Sequence, residues 1–537
     1  MKRTFWTSAI FSALLALAGC QAQPPAAEAP TVSAQPAIVL PDIPAHTVSI
    51  LDFGAIGDGK TDNAAAIGKA IAACAGAGGG HVAIPTGTWL TGPIHLMSHI
   101  DLHLDPGALL LFSRNFDDYP LALSNYEGQQ TVMCSSPLSG DQLDDVSITG
   151  AGIIDGQGGA WRPVKKSKLT PAEWDALVQT GGVVDRRAQT WYPSQVWLSG
   201  QRGLTELRQS SRPLQVEDFQ PYRDLLRPPL VLLSNCRRVL LEGPTFRNSA
   251  SWNVHLLLSD NVTVRRVTIF NPYYAQNGDG IDIDSCQDVS VTNSDISAGD
   301  DVVCLKSGRR RPGRPTPTRP TQNVTIAHCT LGRGHGGIAI GSEMSGGVRN
   351  VEVYDCVLRG TDEALRFKTV RGRGGVVENV NIHDLEMWDI TNSCISVDMY
   401  YMIRRPPTTR RGTTAPSADS DAPQPDPPVA KPLIVTQEPR EPLGPGTPQF
   451  RGITIRNIVC HGANIAMQLR GLPELPLENV TIEHADIVSK LGGAIVDADR
   501  ITLRDVHVKS AAVPVFQIQN ATHLTMEDVD DVPQSLK

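Results

Sequence analysis

Positive charge is scarce in this chain, and charge of either sign is modest. Lysine and arginine number 48 against 56 aspartate and glutamate, for a net charge of −8, and charged residues make up 19%. This balance argues against a generic nucleic-acid binder and against a protein that binds anionic membranes through a broad basic surface. Hydrophobic residues reach 41%, enough apolar surface for a substantial core, so the sequence predicts a globular fold.

Cysteines are few and show no Cys-x-x-Cys spacing, so the sequence predicts no metal site. Apart from Cys20, the ten cysteines leave nine spread over positions 74 to 460, an odd number that does not fit a dense disulfide scaffold. We expect most of them to be small buried core residues. After the first twenty residues, no apolar run is long enough to span a bilayer.

The first twenty residues have the pattern of an export signal. Lys2 and Arg3 precede an apolar run, and the ending Leu17-Ala18-Gly19-Cys20 resembles the cleavage box of bacterial lipoproteins. We expect residues 1–19 to be removed and Cys20 to carry the lipid, with an ordinary cleaved signal peptide as the alternative. Because Gln21 and not Asp follows Cys20, the expected location is the outer membrane of the cell envelope, on either face. Residues 20–46 are rich in Ala and Pro and predict a tether.

One helix and a long series of repeats are predicted for residues 47–537. Between Thr61 and Cys74 the apolar residues follow helical spacing, with Thr61 or Asp62 as N-cap and the end near Gly76. Farther on, an Asn or Asp followed by alternating apolar and polar residues recurs, as in Asn323-Val324-Thr325-Ile326. The first apolar residues of these units lie at positions 239, 262, 289, 324, 351, 380, 453, 480, 501 and 524.

Repeats of about 20 to 50 residues are typical of solenoids, propellers and arrays. Strand-rich units without a helix in each repeat favour an all-β, single-stranded, right-handed parallel β-helix, whose coils stack about 4.8 Å apart. Ladders of stacked Asn at the turns would fit this fold. Loop insertions are expected at about 160–228 and 403–449, neither of them an independent domain. In the first, Thr170-Pro171-Ala172-Glu173 predicts a capping box and a short helix that ends near Gly181.

Acidic and basic residues recur at matching positions of neighbouring coils. Asp300 and His335 each lie 11 residues after an anchor, at 289 and 324, so the repeat makes them vertical neighbours. Asp279 precedes Asp300 by 21 residues, which is one short coil. Arg366 and Lys368 are separated by one residue, which on a strand directs both side chains to the same face. The sequence therefore predicts that carboxylates, an imidazole and two cations converge on one wall.

Such a cluster suits glycoside hydrolysis. One carboxyl must stay protonated to donate to the leaving oxygen, and another must stay ionised to activate water. Asp301 directly follows Asp300, and crowded carboxyls push each other's pKa values apart. An arginine can bind a substrate carboxylate bidentately. Taken singly, these short sequences are common at turns and on solvated strand faces, and only their common register favours a site.

The same residues resemble the motifs of glycoside hydrolase family 28, the polygalacturonases. The matches in chain order are Asn277-Gly278-Asp279-Gly280 for N-T-D-G, Gly299-Asp300-Asp301 for G-D-D, Gly334-His335-Gly336 for G-H-G and Arg366-Phe367-Lys368 for R-I-K. Upstream, Gly57-Asp58-Gly59-Lys60-Thr61-Asp62 is an opening shared with related pectin-degrading β-helix proteins and indicates only the pectin-lyase-like fold. Gly278 and Phe367 depart from the family pattern but spare the reacting groups, although Gly278 would loosen the loop that carries Asp279.

The resemblance implies a role for each matched residue. Asp300 would be the general acid, Asp279 and Asp301 would hold and activate the attacking water, and His335 would support the protonation state of Asp300. Inversion at the anomeric carbon would follow, with the acid and base carboxyls set apart to admit that water. The implied substrate-binding residues are Asn277, Arg366, Lys368 and either Tyr400 or Tyr401. No metal or organic cofactor is implied.

The sequence therefore predicts an inverting hydrolase of α-1,4 linkages between galacturonate residues of pectic substrates. Chain-end action is expected because the two insertions are long enough to wall off one end of a groove. A monomer is expected, with membrane contact only through the lipid on Cys20. Alternatives left open are a rhamnogalacturonan or xylogalacturonan hydrolase, a Ca²⁺-dependent pectate lyase, and a non-enzymatic carbohydrate-binding protein or adhesin. The basic loop Arg309–Arg314 is predicted either to hold the polyanionic substrate or to be a solvated loop.

Overall fold

The computed structural model describes residues 37–210, 212–311, 313, 317, 319–401, 439–510 and 515–530. The predicted signal peptide, Cys20, much of the tether and most of the second insertion lie outside these residues. The described chain winds into a parallel β-helix, which confirms the predicted fold class.

The coils contribute strands to three parallel columns. The first column contains Thr47–Ser49, Gly80–Ile84, Ile100–Leu104, Asp144–Gly150, Arg237–Glu242, Asp260–Arg265, Gln287–Thr292, Thr321–Ala327, Val348–Arg359, Val376–Trp388, Gln449–Arg470, Leu477–Lys509 and Phe516–Val529. The second column contains Gly87–Thr91, Ala108–Phe112, Ile153–Asp155, Thr245–Arg247, Thr268–Phe270, Asp295–Ser297 and Thr330–Leu331. The third column contains Ile94–His95, Leu138–Asp141, Val231–Ser234, Val254–Leu257, Ile281–Asp284, Val303–Lys306, Gly334–Ile340, Thr361–Lys368 and Ser393–Asp398. From Val348 onward the long strands run through more than one column.

The predicted apolar anchors stack in register in the first column. Val239 pairs with Val262, Val262 with Val289, Val289 with Val324, and Val324 with Val351. All five side chains are buried in the core. Since a slip of one residue would turn every one of them to solvent, the hydrophobic alternation fixes the register of the coils.

A ladder of amides and carboxylates marks one turn of each coil, as predicted. Asn323 donates to Asp288 over 2.8 Å, Asn350 to Asn323 over 3.0 Å, and Asn379 to Asn350 over 2.7 Å. These four residues have φ between +53° and +57°, in the left-handed region that Asn and Asp tolerate better than other side chains. The repeated Asn or Asp of the sequence is therefore the turn residue of the coil.

The predicted capping helix spans Ala64–Gly76, but its start differs from the prediction. Asn63 and not Thr61 or Asp62 occupies the N-cap. The side chain of Asn63 makes no cap hydrogen bond, because it binds the backbone of Ile56 instead, over 2.7 and 3.1 Å. Asp62 still accepts from the first helical N–H, that of Ala64, over 2.9 Å. The helix therefore begins one or two residues later than the capping pattern indicates.

The first insertion contains more regular structure than predicted. The capping box at Thr170 and Glu173 forms as expected, and the helix it opens is Pro171–Gln179. A second helix, Gln195–Gln209, was not predicted. The other elements are the antiparallel strands Val164–Lys165, Val183–Asp185 and Thr190–Tyr192, and the 3₁₀ turns Gly158–Ala160, Lys166–Lys168 and Val216–Leu225.

A β-hairpin projects from the coils ahead of this insertion. Its strands are Leu121–Tyr126 and Gln129–Cys134, and they are antiparallel. The remaining 3₁₀ turns are Ile50–Phe53 and Phe116–Asp118. The hairpin was also missed at the level of sequence, and it borders the site described below.

The last residues of the predicted tether are part of the fold. The backbone N–H of Val39 donates to Asn261 over 3.0 Å, and that of Asp42 donates to Asp145 over 3.0 Å. Val39 and Asp42 therefore bind residues of the coils, within the segment for which the sequence predicts a tether.

The nine cysteines from Cys74 to Cys460 are buried free thiols, as predicted. Among the helices of the described residues, none is both long and apolar enough to cross a membrane.

Candidate active site

Three carboxyls meet where two neighbouring coils enter the third column. Asp279 lies just before strand Ile281–Asp284, and Asp300 and Asp301 lie just before strand Val303–Lys306. Because these two strands are adjacent in register, one oxygen of each carboxyl lies within 4.8 Å of the others. The Asp279 and Asp301 side chains are 4% and 1% exposed, whereas that of Asp300 is 23% exposed. The predicted convergence of the three carboxyls is confirmed.

His335 sits one coil above Asp300, as the equal offsets predict. Its Nδ1 lies 3.1 Å from Oδ1 of Asp300, and its Nε2 lies 3.1 Å from the ammonium of Lys168. An ammonium only donates, so Nε2 accepts from Lys168 and Nδ1 carries the ring proton. His335 therefore donates to Asp300. Lys168 comes from the first insertion, 167 residues away in the chain, and no sequence signal linked it to the site.

Arg366 and Lys368 face the same side of their strand, as predicted. Nη1 of Arg366 donates to Oδ1 of Asp301 over 2.9 Å, and Nζ of Lys368 donates to Oδ2 over 2.5 Å. Nε of Arg366 also contacts Glu363 over 3.0 Å. Burial would raise the pKa of Asp301, but Lys368 and Arg366 outweigh burial and hold that pKa well below its usual range. Asp301 is therefore a fixed carboxylate between two cations.

The structure separates the two candidate tyrosines. The ring of Tyr401 lines the cleft, with Nζ of Lys368 5.2 Å from its centre. The ring of Tyr400 lies instead over Arg470, at 5.0 Å, and is not among the cleft residues. Asn277 lines the cleft, where its Oδ1 accepts from Arg227 over 2.9 Å. Of the two tyrosines that the sequence left open, Tyr401 is therefore the one that lines the cleft.

These groups line a cleft of about 300 Å³. Its lining residues are Glu127, Trp252, Asn277, Asp279, Asp300, Asp301, Lys306, Arg309, Ser342, Glu343, Lys368, Arg373 and Tyr401. The tip of the β-hairpin closes part of the rim. Tyr126 packs on Trp252 with ring centres 4.3 Å apart, and a Cβ at Gly128 would lie 2.5 Å from the backbone nitrogen of Arg309. Gly128 therefore lets the hairpin approach the start of the basic loop.

Lys306 is a buried cation of the site that the sequence analysis missed. It ends strand Val303–Lys306, and its Nζ lies 3.2 Å from Asp282, 3.6 Å from Glu343 and 3.7 Å from Asp279. The available signal was its position: it ends the strand that follows Gly299-Asp300-Asp301. Burial raises the pKa of Asp282 to about 6, although Lys306 opposes that rise.

The pKa directions of the carboxyls do not match the roles that the resemblance implies. Burial, with the charges of Asp282 and Asp300, raises the pKa of Asp279 well above its usual value. Burial also acts to raise the pKa of Asp300, but the hydrogen bond from His335 and the nearby positive charges together outweigh it, and the net shift is downward. In the substrate-free site Asp279, and not the expected general acid Asp300, is thus the carboxyl that holds a proton most easily. A donor on Asp300 favours its ionised form.

The carboxyls are also closer together than expected. The resemblance implied an acid and a base set apart to admit water, whereas one oxygen of each of the three carboxyls lies within 4.8 Å of the others. Inverting glycosidases usually separate the two groups by roughly 6.5–9.5 Å, and retaining ones by about 5–5.5 Å. The reason is the fold: carboxyls at the same position of adjacent coils inherit the strand spacing of about 4.8 Å. The spacing alone therefore does not indicate inversion.

Comparisons with known proteins agree with this site. Residues 223–419 match the family described as Glycosyl hydrolases family 28, and residues 47–119 match Rhamnogalacturonase A/epimerase, pectate lyase-like. A probable polygalacturonase of Vitis vinifera is 28% identical over 480 residues, 85% of this chain and 78% of that one. An endo-polygalacturonase of Pectobacterium carotovorum subsp. carotovorum is 27% identical over 336 residues, 62% of this chain and 69% of that one.

A solved structure resembles the whole described solenoid. The crystal structure of a hyperthermoactive exopolygalacturonase from Thermotoga maritima superposes with a TM-score of 0.66 and 27% identity, and the match covers 91% of this chain and 94% of that one. The family match at residues 223–419 contains all the catalytic candidates. The protein is a glycoside hydrolase, and its region 223–419 is similar to glycosyl hydrolases family 28.

Proposed function

We propose that the protein hydrolyses α-1,4 linkages between galacturonate residues of pectic polysaccharide, at chain ends and with inversion of configuration. The observation that carries the proposal is a cleft lined by three carboxyls, of which Asp300 contacts His335 and Asp301 contacts Lys368. Clustered carboxyls provide the acid and the base of glycoside hydrolysis. The cations suit a substrate that brings a carboxylate on each sugar. The similar proteins from a plant and from bacteria are named as polygalacturonases, which supports a galacturonate polymer as the substrate.

In this proposal Asp300 is the general acid, because its side chain is the most exposed of the three, at 23% against 4% for Asp279 and 1% for Asp301. A bound uronate excludes water and adds negative charge beside Asp300, and both effects raise the pKa of a carboxyl. Asp279 and Asp301 hold the attacking water at the floor. Inversion is proposed because Asp301 is fixed by two cations and Asp279 is buried, so neither is free to form a covalent bond to the sugar.

Chain-end action is proposed from the walls of the cleft. Lys168 of the first insertion contacts His335, and the hairpin tip approaches Arg309. The second expected wall, around 403–449, lies mostly outside the described residues. Since the relatives include both an endo- and an exo-enzyme, the mode of action rests on these walls. Product analysis on polygalacturonate tests it: monomer or dimer alone supports chain-end action, and an early ladder of intermediate oligomers refutes it.

The start of the basic loop is proposed to hold substrate. Arg309 lines the cleft, and within the described part of the chain it has no ion-pair partner within 4 Å. We expect Arg309→Gln to raise KM for oligogalacturonides and to weaken the dependence of KM on salt. Arg311→Gln changes an exposed residue of the same loop and is the matched control. Equal KM values for the two variants would contradict this role.

The match to Rhamnogalacturonase A/epimerase covers only residues 47–119, which contain none of the cleft residues, so it gives no support to rhamnogalacturonan as substrate. A Ca²⁺-dependent lyase is disfavoured because lysine and arginine side chains already contact the carboxyls that would hold the ion. Two measurements distinguish the reactions. A Ca²⁺-dependent lyase should be inhibited by EDTA and should produce unsaturated ends that are detected by their absorbance, whereas the hydrolase should do neither.

The lipid anchor also remains a proposal. We propose that Cys20 is lipidated and tethers the enzyme, as a monomer, to the outer membrane. Radiolabelled palmitate should enter the wild-type protein and not Cys20→Ser, and equal labelling of both would overturn the assignment.

A further inference from the structure

Lys306 is a buried lysine that lies beneath the carboxyls of the site. Its side chain is 5% exposed, and its ammonium lies 4.4 Å from the centre of the Trp252 ring. The Trp252 ring in turn carries Tyr126 of the hairpin. The ammonium is therefore held between an aromatic wall and a group of carboxylates, in a position that a mobile surface lysine does not take.

The carboxylates around Lys306 differ in what else they contact. Glu343 also lies 3.4 Å from Arg373 and accepts from Ser342. Asp279 and Asp282, in contrast, have no other lysine or arginine within 4 Å among the described residues. Oδ1 of Asp282 faces Lys306 over 3.2 Å, whereas Oδ2 of Asp282 and Oδ1 of Asp279 are buried without a hydrogen-bond partner among the described residues. Removing a partner from a buried charge is costly, so these two side chains depend on Lys306.

We propose that Lys306 is a positioning residue of the hydrolase: its ammonium balances Asp279 and Asp282 and so keeps Asp279 able to act as the base toward water. Lys306 acts through Asp279 and not on the sugar. The inference rests on the proposed function, in which Asp279 helps to activate the attacking water.

The groups that face the ammonium of Lys306 determine the direction in which each substitution should shift the pH dependence of activity. Asp282 and Asp279 come from the coil below, Glu343 from the coil above, and Cys304 from its own strand. Burial would lower the pKa of Lys306, but these neighbours raise it, so the ammonium stays charged. Lys306 lowers the pKa of Asp279, whereas Asp282 raises it. Loss of the two charges should therefore shift the pH dependence in opposite directions.

The test measures kcat/KM against pH for wild type, Lys306→Met, Asp282→Asn and the double variant on a defined oligogalacturonide. Lys306→Met should move the acid limb upward by about one to two pH units, because an ion pair near 4 Å is lost from a buried site. Asp282→Asn should move the acid limb downward. The double variant should lie between the single variants and recover part of the activity that Lys306→Met loses.

Controls separate this role from packing and from failure of the proposed function. Lys306→Arg keeps the charge and should restore the wild-type acid limb in part, and Lys490→Met, at an exposed lysine, should change nothing. Unchanged acid limbs in both single variants, or a change in KM alone, would overturn the proposal. If Lys306→Met does not fold, the acid limbs of the other two variants decide the question. A downward shift in Asp282→Asn, together with an acid limb close to that of wild type or slightly higher in Lys306→Arg, supports the proposal, and an unchanged limb in Asp282→Asn overturns it. Wild-type enzyme that does not hydrolyse galacturonate oligomers would overturn the proposed function instead.

Discussion

The assignment of the general acid makes a prediction that depends on the leaving group. Asp300→Asn removes the donated proton but keeps an oxygen that can accept from His335 at the present 3.1 Å, so the fold should be preserved. General acid catalysis contributes about 10²–10⁴ in rate, which corresponds to about 2.7–5.4 kcal/mol in the activation free energy. We therefore expect kcat/KM on trigalacturonate to fall by about 10²–10⁴.

An aryl galacturonide with a good leaving group needs little protonation, so Asp300→Asn should retain most of its activity on that substrate. Asp279→Asn and Asp301→Asn should lose activity on both substrates, since both residues act on water. Initial rates of galacturonate and of phenol release measure the two cases. Asp295→Asn, at an exposed carboxyl of the second column, is the matched control.

Two results would refute this assignment. If Asp300→Asn lost activity equally on both substrates, Asp300 would not be the proton donor. If Asp279→Asn were the variant with activity restored by the good leaving group, the proton would come from Asp279. That second outcome would agree with the raised pKa of Asp279 in the free enzyme.

Three further changes test the binding surface, the fixed carboxylate and the core. Tyr401→Ala should raise KM for oligogalacturonides about 2- to 12-fold, the range of an aromatic contact, whereas Tyr400→Ala should leave KM unchanged. Asp301→Asn should lose about 3–5 kcal/mol in the free energy of unfolding at pH 7, because it leaves the buried Lys368 without its carboxylate and removes one of the two carboxylates at Arg366. Since the pKa of Asp301 is depressed in the folded state, this loss of stability should shrink as the pH falls below the ordinary pKa of 3.8. Urea denaturation of wild type and variant at several pH values measures the loss. A loss that stays constant with pH would contradict the pairing of Asp301 with the cations. Phe450→Ala should cost about 3–5 kcal/mol and lower Tm, while Phe270→Ala, at a side chain 48% exposed, should change Tm little.

The register of the coils could be predicted from the sequence because two independent patterns agree. Alternation of apolar and polar residues sets the face, and the Asn or Asp before each anchor sets the turn. Val289, Val324 and Val351 therefore pair as the spacing requires. The same arithmetic placed His335 beside Asp300.

The insertions could not be predicted in the same way, because they do not repeat. Helix Gln195–Gln209 contains Gly200 and Gly203, which lower helix propensity. In the structure these glycines give room for Tyr222 and Leu225, a packing reason that periodicity does not reveal. Ser194 at the N-cap, which accepts from Trp197, was the one local signal available.

Charge states in the site also depend on contacts that are distant in sequence. The proton on Nδ1 of His335 follows from Lys168, which a loop of the first insertion delivers. Asp279 takes its raised pKa from burial and from Asp282, a residue outside the recognised motifs. Sequence spacing could therefore indicate which groups meet, but not which of them holds the proton.

Water, and not a carboxylate of the enzyme, is proposed to attack the anomeric carbon, although one oxygen of each of the three carboxyls lies within 4.8 Å of the others. Proton NMR of the first product released from an α-linked oligogalacturonide tests this claim most directly. Appearance of the β-anomer before mutarotation is the predicted result. Appearance of the α-anomer first would show retention and would contradict the account.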